Sequence, residues 1–283
     1  MATATRRLAL IPRPLRIAPS SPIPSIRLSE LWGYRELLYF FVWRDVKVRY
    51  KQTAIGAAWA ILQPFLSMLI FSLFFGRLAK LPTNGLPDPV FYYCALLPWT
   101  YFAGALQNAT NTIVENQRLI TKIYFPRLVL PISAVLSGLV DFGIAFVMLI
   151  AMMFFYKVVP GKGLLLLPAL MLLAVLTALA FGLWLSALNA VYRDVRYVVP
   201  FVIQFWMFVS PVAYSASLVP ERWRWIYGLN PMAGVVEGFR WALTAKANAP
   251  GALFFASACG VVLALIGGMS YFRRMEGTFA DVV

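Results

Sequence analysis

The sequence predicts an all-α, polytopic membrane protein with six transmembrane helices, an N-terminal interfacial helix and short re-entrant helices before the last span. Three observations lead there. Of the 283 residues, 61% are hydrophobic and only 13% charged, with a mean hydropathy of +0.75. No soluble domain buries that much apolar surface. Six apolar stretches are each long enough for a helix rising about 1.5 Å per residue to cross a hydrocarbon core that needs roughly 20 residues. These runs are continuous and do not alternate, so they read as helices and not as the strands of a membrane barrel.

Residues 1–28 are basic and Pro-rich, with one short apolar stretch at Leu8 to Ile11. They read as a disordered cytoplasmic tail without a signal-peptide core. Residues 29–53 read as an amphipathic interfacial helix. Ser29 caps it, Glu30 suits its positive end, and Trp32, Tyr39, Trp43, Val46 and Tyr50 share one side. Arg44, Lys47 and Lys51 lie away from that stripe, and Phe41 breaks the pattern on the far side. The helix fits either a plain anchor for the first span or a cytoplasmic entrance for substrate lined by Arg44, Lys47 and Lys51.

The transmembrane domain occupies residues 54–272, with apolar stretches at 54–76, 89–114, 128–156, 163–192, 197–220 and 247–272. Pro64, Pro131, Pro168, Pro200 and Pro211 predict kinks or helix starts within them. Basic residues set the orientation: with the N-terminus inside, 17 Lys and Arg fall on cytoplasmic segments and 8 on the other side. Both termini, including residues 273–283, are therefore expected in the cytoplasm of a cell with a cytoplasmic (inner) membrane. The net charge of +14 becomes a topology signal that also suits anionic lipid or an anionic substrate. A nucleic-acid partner is excluded, because the charges are split among loops separated by apolar helices.

What is missing narrows the function. The chain has no histidine and only the separate Cys94 and Cys259, which argues against a metal site, haem or a Cys/His nucleophile. No Gly-x-x-x-x-Gly-Lys-Ser/Thr loop is present, so no catalytic or ATP-binding residues are expected here. A lipid-linked glycosyl or acyl transferase needs clustered acids or histidines, and the 11 acidic residues are scattered. Asp141 is the one ionisable residue deep in a span; it serves either a pathway or interface contact, or a helix–helix hydrogen bond to Ser133 or Ser137. One such residue, and no evident inverted repeat, argue against an ion-coupled carrier.

Several segments carry a family resemblance. Residues 115–127, Glu115-Asn116-Gln117-Arg118-Leu119-Ile120-Thr121-Lys122-Ile123-Tyr124-Phe125-Pro126-Arg127 with Pro131 beyond, resemble the first cytoplasmic loop of type-2 ABC transporter permeases that export O-antigen, capsule and teichoic acid polysaccharides. Asn230-Pro231-Met232, Glu237-Gly238-Phe239-Arg240, the Tyr192-Arg193-Asp194-Val195 turn and Gln63-Pro64 are similar to that family too. The resemblance covers about Leu31 to Phe272 and implies a homodimer of permeases resting on two copies of an ABC ATPase subunit, which uses the ATP and Mg. It also implies an exported lipid-linked glycan moved within membrane lipid; a type-2 permease for a drug or lipid is the alternative.

Under that resemblance the 113–128 loop is expected to couple to the ATPase through Arg118, Lys122, Phe125, Pro126 and Arg127. Residues 221–246 are too polar to span and too apolar for a plain loop, so they are expected as two short re-entrant helices broken at Asn230-Pro231. Their outer gate residues are Asn230, Pro231, Glu237 and Arg240, with Glu237 and Arg240 paired at i, i+3. The first and fifth spans, which line the channel in the family, carry Trp59, Phe65, Phe71, Phe201, Phe205 and Trp206. These are read either as an aromatic wall for a passing sugar polymer or as lipid-facing side chains.

Overall fold

The computed structural model describes residues 32–51, 56, 58–244 and 252–279. The expected tail at residues 1–28, the cap at Ser29 and Glu30, and Lys246 lie outside the described residues. Every regular element among the described residues is helical. The longer helices are α1 (Arg35–Lys51), α2 (Ala58–Phe71), α3 (Asp88–Glu115), α5 (Val129–Phe155), α6 (Leu167–Val191), α7 (Val195–Val209), α9 (Pro231–Thr244) and α10 (Ala252–Glu276). Two short helices, α4 (Gln117–Ile120) and α8 (Arg224–Gly228), sit in the connections.

Four helical segments are long and apolar enough to cross a membrane: Ala58–Leu78, Val129–Phe155, Gly163–Val191 and Phe254–Glu276. The first of these is α2 continued by a π-helical segment, Ser72–Leu78. The other two expected spans differ for separate reasons. Helix α3 has the length, 28 residues, but carries Gln107, Asn108, Asn111 and Thr112 along its second half. Helix α7 is apolar but stops at Val209, far short of residue 220. From Ser210 the chain turns, and Ser215 accepts from the Ser217 backbone N–H to start a 3-10 turn.

Helix α3 is the axle of the bundle. Val90 through Trp99 are all buried, and α5, α6, α9 and α2 pack around them. Close approach depends on small residues: a Cβ on Gly182 of α6 would stand 2.8 Å from the Ala109 Cβ of α3. On the far side of α6, a Cβ on Gly268 would stand 2.8 Å from the Ala180 carbonyl, and Trp184 donates to the Ala264 carbonyl at 3.0 Å. In a bilayer lipid gives no hydrophobic drive to helix pairing, so such backbone contacts carry the association. Four of the five expected prolines fall as predicted, and Pro211 does not. Pro64 and Pro200 lie inside helices, Pro131 and Pro168 in first turns, and Pro211 just past the end of α7.

Helix α1 packs along α5, and its most buried residue lies off the aromatic stripe. Phe41, the residue that broke the aromatic stripe, is the buried one and its ring meets Phe125 at 5.7 Å, whereas Trp32, Tyr39 and Trp43 are exposed. Those three residues of the stripe face away from the protein, while Tyr50 at its end turns to Asp141 of α5. A rich aromatic face reads equally as core or as lipid interface when only periodicity is considered.

Candidate functional site

Three places hold the polar chemistry of the bundle. The first is at the end where residues 113–128 lie. Helix α4 and the turn after it project Arg118, Lys122, Ile123 and Tyr124, the last 94% exposed. Phe125 is only 6% exposed and joins Ile113, Leu128 and Phe272 in a separate apolar cluster. This corrects the expectation that Phe125 faces a partner: it anchors the loop, and Tyr124 is the aromatic presented outward. Pro126 is half-buried, and the Arg127 backbone N–H donates to Glu276 at 3.0 Å, so the end of α10 clasps the loop.

The expected entrance residues do not gather. Arg44 bonds Asp45 and, at 3.1 Å, the Asn116 side chain, tying α1 to the loop. Lys47 lies over the Trp43 ring at 4.2 Å, and Lys51 is exposed. Beyond the apolar part of α3, partial burial raises the Glu115 carboxyl above its ordinary value; Asp45 adds to the rise and Arg44 opposes it.

The second place is a polar furrow of about 470 Å³ between α2, α3, α5 and the end of α1. Gln63 and Ser67 of α2 face Gln107 and Asn108 of α3 across it, with Trp99 and Tyr101 in its wall. Asp141 lies at its edge and corrects the expectation of a serine partner. Its carboxylate accepts from Arg49 and from the Tyr50 hydroxyl, while Ser133 and Ser137 turn back to the carbonyls of Leu130 and Ala134. The pair crosses 92 residues of sequence and fastens α1 to mid-α5. Amides left exposed among membrane-spanning helices call for water, cargo or a second protomer, since lipid offers no hydrogen bonds. Non-ionisable polar residues inside apolar runs were the signal for this furrow, and attention to Asp141 alone passes over them.

The third place is at the opposite end of the bundle. The break at Asn230-Pro231 separates α8 from α9, as the sequence predicts. Arg240 is 1% exposed. It donates to the Val212 carbonyl at 2.9 Å, to Tyr214 at 3.0 Å and to Glu237 at 3.2 Å, and stands 3.7 Å from the centre of the Phe91 ring. Glu237 also accepts from the Ala216 backbone N–H at 3.2 Å. The expected i, i+3 pair is thus the knot that binds residues 210–216 to α9 and to the start of α3. Burial of a charge is tolerable where this many dipoles and an opposite charge receive it.

Trp206 belongs to the same assembly, which corrects its placement with the freely facing aromatics. Its ring stands edge-on to Phe102 and Phe181, and its N–H donates to the Asn230 side chain at 2.9 Å. Asn230 in turn donates to Ser210 at 3.0 Å. Phe65 and Phe71 are also partly packed against the core, Phe71 meeting Phe75 and Tyr92 edge-on. Trp59, Phe201 and Phe205 remain exposed, the last two one turn apart on α7. No cluster of His, Cys, Asp or Glu that could hold a metal occurs among the described residues.

An all-helical bundle with four helices long and apolar enough to cross a membrane, a polar furrow and a charged loop at one end marks a multi-pass membrane protein. The chain belongs to the ABC-2 type transporter family, whose model matches residues 36–244. It is 30% identical over 259 residues to the O-antigen export system permease protein RfbA of Myxococcus xanthus, covering 90% of this chain and 98% of that protein. A Klebsiella pneumoniae protein of the same name is 26% identical, over 92% of this chain and all of its own length. The polysialic acid transport protein KpsM of Escherichia coli is 23% identical over 82% of this chain and 91% of its own.

Proposed function

We propose that this chain is the permease subunit of an ATP-driven exporter that moves a lipid-linked polysaccharide across the cytoplasmic membrane. The observation that carries the proposal is similarity over nearly the whole length of both proteins to permeases named for O-antigen export. Two protomers form the pathway, and each rests on one of two ABC ATPase subunits that bind ATP and Mg; this chain binds neither. Six spans follow when α3 and α7 are counted with the four long apolar helices, and α8 and α9 form a re-entrant gate on the outer side.

The chemistry of the furrow supports a glycan. A sugar polymer presents hydroxyls and flat C–H faces; the exposed amides of Gln63, Gln107 and Asn108 offer partners for the hydroxyls, with the charged Arg49 and Asp141 of the same furrow tied to each other. The exposed Trp59, Phe201 and Phe205 supply the aromatic wall of the same pathway. At the basic end, Arg118, Lys122, Ile123 and Tyr124 seat in the ATPase and transmit its closure.

Deleting the gene tests the cargo: the lipid-linked polymer should accumulate in the cytoplasmic leaflet and vanish from the cell surface. Normal surface polysaccharide with an altered drug or phospholipid profile would replace this reading with that of a drug or lipid pump. Orientation is tested by labelling Arg222→Cys and Arg274→Cys, which should respond from opposite sides. Labelling of both from the outside would overturn cytoplasmic termini.

A further inference from the structure

A slot of about 650 Å³ runs between α5, the start of α6 and α9, at the end of the bundle away from the basic loop. Phe142, Phe146 and Met153 form one wall, Leu167 another, and Phe239 and Leu243 of α9 the third. Phe142 and Phe154 both line it, so it follows α5 for about 18 Å at 1.5 Å per residue. That depth is close to one leaflet of a hydrocarbon core roughly 30 Å thick. Its lining is aliphatic and aromatic side chains and prolines, which give water no partners, and water enters cavities only where two or more polar groups receive it.

The rim supplies the charge. Helix α5 ends at Phe155, and Lys157 follows with φ of 55°, its N–H closing on the Phe154 carbonyl before Val158 re-enters the slot wall. A lysine rarely adopts that conformation, and here it leaves the side chain exposed at the mouth of the apolar slot. We propose that the slot binds one acyl chain of a membrane phospholipid, with the anionic headgroup phosphate held by Lys157.

The occupant bears on the helix that carries Arg240. On one side α9 is pressed tightly against its neighbours: a Cβ on Gly238 would stand 2.5 Å from Leu170, and one on Gly163 would stand 2.5 Å from the Trp241 ring. Phe239 and Leu243, each 1% exposed, close the floor of the slot, so a chain lying in it rests against α9. The assignment is independent of the cargo, because it needs only that the chain spans a bilayer.

The test uses the full-length protein in nanodiscs containing a phosphatidylglycerol probe with a diazirine midway along one acyl chain. After irradiation, adducts should concentrate several-fold on Phe146, Ile150, Met153 and Met171 relative to Phe255 and Leu263, which are exposed on α10. Ile150→Trp should fill the slot and remove those adducts while leaving labelling of Leu263 unchanged. Met171→Phe serves the same purpose if the first variant does not fold. Lys157→Glu should lower labelling by the anionic probe and spare labelling by a phosphatidylcholine probe. Uniform labelling of slot and α10, or slot labelling indifferent to both filling variants, would overturn the proposal. Labelling of the slot by a diazirine polyprenyl phosphate in place of the phospholipid would overturn it equally.

Discussion

Two of the arginine–carboxylate pairs among the described residues, Arg240–Glu237 and Arg49–Asp141, are built in opposite ways. Arg240 and Glu237 lie one helical turn apart on α9, and the arginine is 1% exposed among three backbone carbonyls and an aromatic ring. Arg49 and Asp141 come from helices far apart in sequence, and their side chains are 32% and 30% exposed beside the polar furrow. The first pair is enclosed and saturated with partners. The second borders open polar space, so water or cargo competes for its charges. A buried pair of the first kind fixes one geometry, whereas a half-exposed pair leaves the helix it fastens free to change position at moderate cost.

This contrast orders the expected effects of mutation. Arg240→Met leaves Glu237 and the carbonyls of Val212 and Tyr214 without their donor, and breaking such a buried pair costs about 3–5 kcal/mol. Thermal unfolding in detergent should show the largest loss of any single variant here. A near-normal transition would mean that the turn at residues 210–216 is held by other contacts. Asp141→Asn keeps a hydrogen-bonding group but removes the charge that receives Arg49, a loss of about 1.5–3 kcal/mol. Protease cleavage near Lys51 should quicken in this variant while the end around Arg240 stays protected; unchanged cleavage would separate α1 from the furrow.

Trp206→Phe removes one hydrogen bond to Asn230 and keeps most of the ring contacts, so stability should fall by about 0.5–1.5 kcal/mol. The exposed neighbours behave differently. Phe201→Ala with Phe205→Ala should leave the unfolding transition near its original position but slow export, which a surface-polysaccharide assay reads directly. If Trp206→Phe slowed export more than this double change at equal stability, the aromatic wall would lie on the inner side of α7. Smallest in stability is Lys122→Ala with Tyr124→Ala, two projecting side chains whose loss should release the ATPase in a co-purification assay. Phe125→Ala is the counterpart that should instead soften the loop by opening the cluster around Phe41 and Phe272.

Local features were legible in the sequence, and features made by tertiary packing were not. The helical class, the break at Asn230-Pro231 and the Glu237–Arg240 pair depend on neighbours within a turn, and the structure contains all three. The partners of Asp141 are supplied by a helix about 90 residues earlier, which no periodicity reveals. Phe125 and Phe41 pack on each other across a similar separation, a contact that periodicity within either segment does not reveal. Composition alone also ranks α3 as an ordinary span. It in fact buries more residues than any other described helix, and protein contacts absorb part of its polar content: Asn189 of α6 donates to the Thr110 carbonyl at 3.0 Å and to Asn111.

The central claim is that this chain forms an ATP-driven path for a lipid-linked polysaccharide. The direct measurement reconstitutes it with its ATPase partner in vesicles carrying the labelled lipid-linked polymer on the outer leaflet. An entrapped glycan hydrolase then reports arrival inside, with the cytoplasmic side of the transporter facing out. The account predicts ATP-dependent cleavage of the polymer, slowed by Phe201→Ala with Phe205→Ala and abolished by Lys122→Ala with Tyr124→Ala. Cleavage that proceeds at the same rate without ATP, or none at all while a drug or phospholipid crosses on ATP addition, would contradict it.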